Sequence, residues 1–332
     1  PPRSTPLYSS AASDVYKRQV FRGPSELPKE DLAVFDEAQK LLRSDDYEHY
    51  GDAEKKLLEI VKKHPEHVSP MVWLMQLYCA WGEELQWEAA WFKKATEAKA
   101  KELGEFKKTI EKTKSRSAKE ATQKKFDAAK VELDTLNNAY NLTDKNSVGR
   151  LKEAKEWAKN ADHTDPTDGA LHRAMADYAR ITNKWDVVET QLGYVKKRKP
   201  DSVGLRFITG GMLMERDKKY DDAIKLFEEA LAADPAFTKA QYFLAIALDR
   251  KGEQAKAADA MKKVLVMSPG HHAAKAYLGL VDALGAAQSA AEDAETAGTA
   301  KEQVAAGDEV AGPASPAPAE TKPAPKPKKK QP

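Results

Sequence analysis

An all-α solenoid of stacked antiparallel helix pairs is predicted by a recurring proline, an apolar trio ahead of it and the period of the recurrence. Pro235 is preceded by Ala223, Phe227 and Ala230, at 12, 8 and 5 residues. Pro269 is preceded by Ala257, Met261 and Val264 at the same offsets, 34 residues further on. Spacings of 4 and 3 put each trio on one helix face, and the proline, lacking a backbone N–H, stops the helix. The trio recurs before Pro200 (Val188, Leu192, Val195), Pro166 (Ala154, Ala158, Ala161) and Pro65 (Ala53, Leu57, Ile60). A unit this short cannot bury its apolar face alone, so the copies must stack.

Taken in order, residues 1–19 read as a translated adapter rather than native protein, and 1–26 are set aside from the fold. A first helix is expected from Pro28, a residue suited to a first helical turn, with Leu32, Phe35, Ala38, Leu41 and Leu42 at helical spacing. Its partner runs from about Asp52 to Lys63. Met71–Trp81 is apolar almost all round, which predicts a helix buried on several sides, broken at Gly82. From Pro65 to Pro166 the chain is 33 residues longer than two units need, and the surplus falls in the charged stretch 93–130. Phe126, Ala129, Leu133, Leu136 and Tyr140 alternate by 3 and 4 there, the seam of a coiled coil. A projecting two-helix arm is therefore expected, turning near Lys114–Ser117, with a polar loop at Asn141–Asn146 beyond it. Three cleaner repeats and a closing helix at His272–Leu284 follow. The organisation expected is thus 27–168 with the arm, 169–285, and a disordered Ala/Pro/Lys-rich tail at 286–332.

The trio and its proline resemble the tetratricopeptide repeat family, whose pattern includes A-x3-F followed by proline; Ala223-x3-Phe227 with Pro235 is the best match, and Gly211 and Ala245 take the small position of the preceding helix. The resemblance implies a right-handed superhelix of about six hairpins that binds proteins. It also implies that the first helix of each repeat lines a concave surface. That assigns partner contacts to Arg173, Asp177 and Arg180, to Leu205, Ile208 and Met212, and to Lys239, Tyr242 and Ile246. The Lys/Asn pattern by which some relatives clamp a terminal carboxylate is not reproduced. A hydrophobic-anchored helix or extended peptide is the expected ligand.

Composition narrows the function classes. Lys+Arg number 54 against 52 Asp+Glu, so no overall field favours nucleic acid, and no specific nucleic-acid partner is expected. Lysines crowd the last residues of the tail, where contact with an acidic surface is the sharper reading and a solvated tail the plainer one. The single cysteine, Cys79, lies in an apolar run and reads as a small buried hydrophobe. No phosphate loop, dinucleotide fingerprint or nucleophile elbow occurs, and neither a catalytic residue nor a cofactor is expected. No metal set is expected either: His64 and His67 flank a proline at a helix end and cannot share one helical face, and His271–His272 suit a cap. Gly210–Gly211 fits close helix packing better than phosphate binding. Three roles stay open: an interaction scaffold, a tether in a bacterial envelope assembly, and a regulatory fragment of an enzyme. The start of the native chain is expected to be missing, so cytoplasm and envelope are equally open.

Overall fold

The computed structural model describes residues 27–198, 202–279, 282–283 and 285–287. The adapter-like segment, Pro200 and nearly all of the predicted tail lie outside the described residues. Eleven α-helices and no strand are found among the described residues. They are α1 (Lys29–Arg43), α2 (Tyr50–Lys63), α3 (Val68–Lys112), α4 (Arg116–Thr164), α5 (Gly169–Ile181), α6 (Trp185–Arg198), α7 (Val203–Glu215), α8 (Tyr220–Ala233), α9 (Thr238–Lys251), α10 (Gln254–Met267) and α11 (His272–Tyr277). Consecutive helices pack as pairs, α1 with α2 through α9 with α10.

The trio and proline do locally what their spacing implies. Helices α2, α4, α8 and α10 each end two residues before their proline. Of the fifteen trio residues all but Ala158 are buried, and Ala223, Phe227 and Ala230 are fully so. The turns inside the last three hairpins keep the same beat. Asn183, Lys218 and Gly252 each have positive φ (57°, 57° and 92°), reversing the chain in the left-handed region. The side chains of Asp168 and Ser202 cap α5 and α7 by accepting the N–H of Leu171 and Leu205.

Two expected interruptions are absent. Helix α3 runs through Gly82 for 45 residues, and α4 runs through Asn141–Asn146 for 49. Gly82 serves a crossing instead of a break: a Cβ there would lie 2.8 Å from Leu151 Cγ on α4, and its carbonyl accepts the buried Ser147 hydroxyl at 2.9 Å. Thr143 and Ser147 are buried in the same seam, which holds the 141–146 stretch helical. The second and third predicted repeats therefore merge into one long hairpin, and the described helices make five hairpins. Its distal part is the arm, turning at Thr113–Ser115. Within 93–130 only Leu103 and Ala129 are buried, so about 30 Å of hairpin stands solvated on nearly all sides. Lys99 bridges the two arm helices to Glu132 at 2.7 Å.

The closing helix is shorter than expected, because α11 ends at Tyr277 and Gly279 turns the chain with φ 65°. What seals the last repeat is the first. The Ser268 hydroxyl donates to the Asp45 carbonyl at 3.1 Å, and the Gly270 N–H donates to the Asp46 carboxylate at 3.1 Å. His272 stacks on Tyr47 with ring centroids 4.8 Å apart. The turn between α1 and α2 thus docks on the turn that follows α10.

Candidate functional site

The straight course of α3 decides what the concave side looks like. Beyond Gly82 the helix carries Glu83, Glu84 and Trp87 across the first helices of the later repeats. Arg180 on α5 is the largest fully buried side chain, and its Nη2 lies 2.7 Å from Glu83 Oε1 and 2.8 Å from Asp177 Oδ1. Lys239 on α9 completes the network, 2.6 Å from Glu83 Oε2 and 3.2 Å from Asp177 Oδ2. A buried and a largely buried cation face two carboxylates, and the Arg180 guanidinium also lies over the Phe243 ring at 4.7 Å. Burial alone would raise the Asp177 carboxyl, but Lys239 and Arg180 outweigh it and bring its pKa down to about 2. Gly211 makes room for the arginine, since a Cβ there would come within 2.6 Å of Arg180 Cδ. Gly210 does the same for the Phe227 ring, so both glycines serve packing.

The concave residues expected to meet a partner are therefore met by the chain itself. Arg180, Leu205, Ile208 and Tyr242 are buried, with Ile208 at 2% and Tyr242 at 5% exposure. Tyr242 lies under Trp87, ring centroids 4.3 Å apart. Asp177 and Lys239 are committed to the ion network, and Met212 and Ile246 are half-buried in the core beside it. Arg173 stands apart, its stem against Gly204. Substitutions at Ile208 and Tyr242 would therefore act on folding, because α3 covers the strip that was expected to be open.

Glu83 and Glu84 were not singled out by sequence. The available signal was two carboxylates directly after an apolar run with no turn residue except Gly82. Glu84 accepts the N–H of Ala273 at 3.1 Å and faces His271 Nδ1 at 3.2 Å. His271 is 1% exposed, with Asp45 and Asp46 of the first turn and the Trp87 and Tyr242 rings around it. Burial depresses its pKa, yet Glu84 and the two aspartates outweigh burial and leave it above 6.5. Glu84 is likewise pushed up by burial but held below 4.5 by His271 and the Ala273 N–H. The histidine's contribution is complete below pH 6.5 and is lost as pH rises through its higher folded value; that of Glu84 is complete above 4.5 and is lost on acidification. The urea midpoint should accordingly fall as pH rises above 6.5, and His271→Gln should flatten that slope. An unchanged slope in the variant would remove His271 from the account.

A polar cleft of about 260 Å³ lies between α3 and the turns of the last three hairpins. Glu83, Gln86 and Trp87 form one wall, Arg180, Ile181 and Asn183 a second, and Glu215, Lys218 and Arg250 the rim. Arg180 Nη1, although buried, has no hydrogen-bond partner among the described residues, and Glu215 Oε1 is 3.8 Å away. Burial raises the Glu215 carboxyl, which weakens it as a counter-charge.

A second departure concerns histidine. His64 and His67 do not share a helix face, but the turn between α2 and α3 brings their rings to 5.6 Å, with Glu66 beside both. Sequence reasoning considered only helical faces and missed the turn.

Stacked helix pairs around a filled concave side define a helical-repeat protein. Residues 211–272 match the family model of the tetratricopeptide repeat, and the chain carries tetratricopeptide repeats. No curated protein matches the sequence. Repeats of this family mediate protein–protein interaction and are typically non-catalytic.

Proposed function

We propose that the chain is a non-enzymatic scaffold that captures a partner peptide through an acidic side chain placed in the cleft between α3 and the turns of the last three hairpins. The observation that supports this is the unsatisfied Nη1 of Arg180. A buried guanidinium nitrogen without a partner is unfavourable, and a carboxylate that enters the cleft and displaces the Glu215 side chain, 3.8 Å from Nη1, would supply the missing acceptor. Lys218 and Arg250 at the rim would draw such a group in, and the Trp87 edge would cover its apolar stem. The cleft replaces the wider strip that α3 covers, so the partner engages a pocket at the ends of the repeats.

The test is fluorescence anisotropy of an array of labelled short peptides that differ only in one Asp, Glu, Asn or Gln. Acidic members should bind, and Lys218→Glu with Arg250→Glu should weaken them at least about tenfold through like-charge repulsion at the rim. Both rim residues are exposed, so the melting temperature should not move. Equal binding of acidic and amide peptides would end the proposal.

A further inference from the structure

We propose that His64, Glu66 and His67 form a three-ligand site for a late first-row transition-metal ion, with zinc the best fit. The site is made by a turn. His67 N–H donates to the His64 carbonyl at 3.2 Å, with Pro65 fixing the backbone between them, so the first and last side chains emerge on the same side. The imidazole planes stand at 85°. Glu66 Oε1 lies 3.5 Å from His67 Nε2 and 4.0 Å from His64 Nδ1, and one ligand atom from each residue can be chosen so that all lie within 4.8 Å of one another. Zinc bonds of about 2.0–2.1 Å set ligand atoms roughly 3.3 Å apart, so the widest gap closes with a contraction of at most about 1.5 Å. Glu66, whose side chain is 60% exposed, already lies within 4.0 Å of both imidazoles, so the closure falls on rotation of the two rings.

The independent observation is behind the first histidine. His64 Nε2 lies 2.9 Å from Asp31 Oδ2, and the Asp31 side chain is only 9% exposed and also held by Lys63 Nζ at 3.2 Å. A carboxylate so placed accepts a hydrogen bond from Nε2–H, which fixes the tautomer and leaves the Nδ1 lone pair on the side of Glu66. Metal-bound histidines are held in this way, with the second nitrogen donating to a carboxylate. Two imidazoles and one carboxylate suit zinc and its neighbours, whereas magnesium and calcium require oxygen ligands throughout. Three ligands leave a fourth position for solvent. A bound ion would brace the end of α2 against the start of α3 and, through Asp31, against α1.

The experiment titrates the metal-stripped full chain with zinc in competition with a chromophoric chelator, and with cobalt(II) read by its visible spectrum. One equivalent of zinc should bind at pH 7.5, with a tetrahedral cobalt spectrum. Glu66→Gln and His67→Gln should each weaken binding at least about tenfold, and Asp31→Asn, which acts by positioning His64, by about tenfold. Glu66 is exposed and its substitution leaves the fold intact, as circular dichroism will show. Zinc affinity unchanged by Glu66→Gln and His67→Gln would assign the ion to other histidines and overturn the site. Absence of stoichiometric zinc in the unmodified chain would overturn it equally.

Discussion

Replacing Glu83 with alanine is expected to destabilise the protein by about 3–5 kcal/mol, because it strips the shared carboxylate from the buried Arg180 and the largely buried Lys239. Arg180 has no side-chain exposure and Lys239 has 12%, so neither can recover hydration without the core opening. Asp177 would then face both charges, with Glu215 3.8 Å from Arg180 as the other remaining carboxylate. The cavity left by the side chain adds to the loss, since Phe207 and Phe243 hold the arginine in place from the other side. Glu83→Gln should lose less, because its amide oxygen still accepts from one cation. The control is Glu105→Ala, which removes an exposed pair with Lys108 and should leave the urea midpoint where it was. If Glu83→Ala shifts stability by less than about 1 kcal/mol, water must reach the network and its burial is misjudged.

Phe227→Ala is expected to have a comparable effect, about 3–5 kcal/mol, and a diagnostic partner. Its ring is fully buried between α7 and α9, with centroids 6.0 Å from Phe207 and 5.8 Å from Phe243. One edge occupies the space that Gly210 leaves, where a Cβ would lie 2.8 Å from Phe227 Cε1. In the unmodified protein Gly210→Ala should destabilise, as the rigid ring and the helix backbone cannot both yield. In the Phe227→Ala background the same change should become neutral or stabilising, since the methyl group fills part of the cavity and alanine favours the helix. A double-mutant cycle of chemical denaturation measures the coupling. Additive effects would show that the two residues do not touch.

The features written in local chemistry were the legible ones. Each trio and proline specify a helix face and its end within about a dozen residues, and those helices stand where the spacing put them. The arm was legible for the same reason, as a surplus of length carrying a seam. The concave side was not, because its fate rests on whether α3 bends at Gly82. Glycine weakens a helix and also lets helices approach closely, and only the position of Leu151, far along the chain, decides between the two. Once α3 runs straight, Glu83 and Trp87 reach Arg180, Lys239 and Tyr242, and the expected partner strip becomes core. His64 and His67 were hidden for a related reason, as a turn obeys no helical spacing.

The hydrogen bond between Asp46 and Gly270 joins positions 224 apart. Open arrays of helical hairpins fold from nearest neighbours and lose their ends first, one unit at a time. Here the terminal hairpins hold each other, so neither can fray alone, and unfolding is expected to be a single cooperative event. Contacts of such separation meet their loop-closure entropy before they return any stabilisation, which places the joining of the ends late in folding. The same seam limits how this chain can diverge. Inserting or deleting one hairpin would rotate the last turn away from the first, so the number of repeats is fixed by the fit between its two ends.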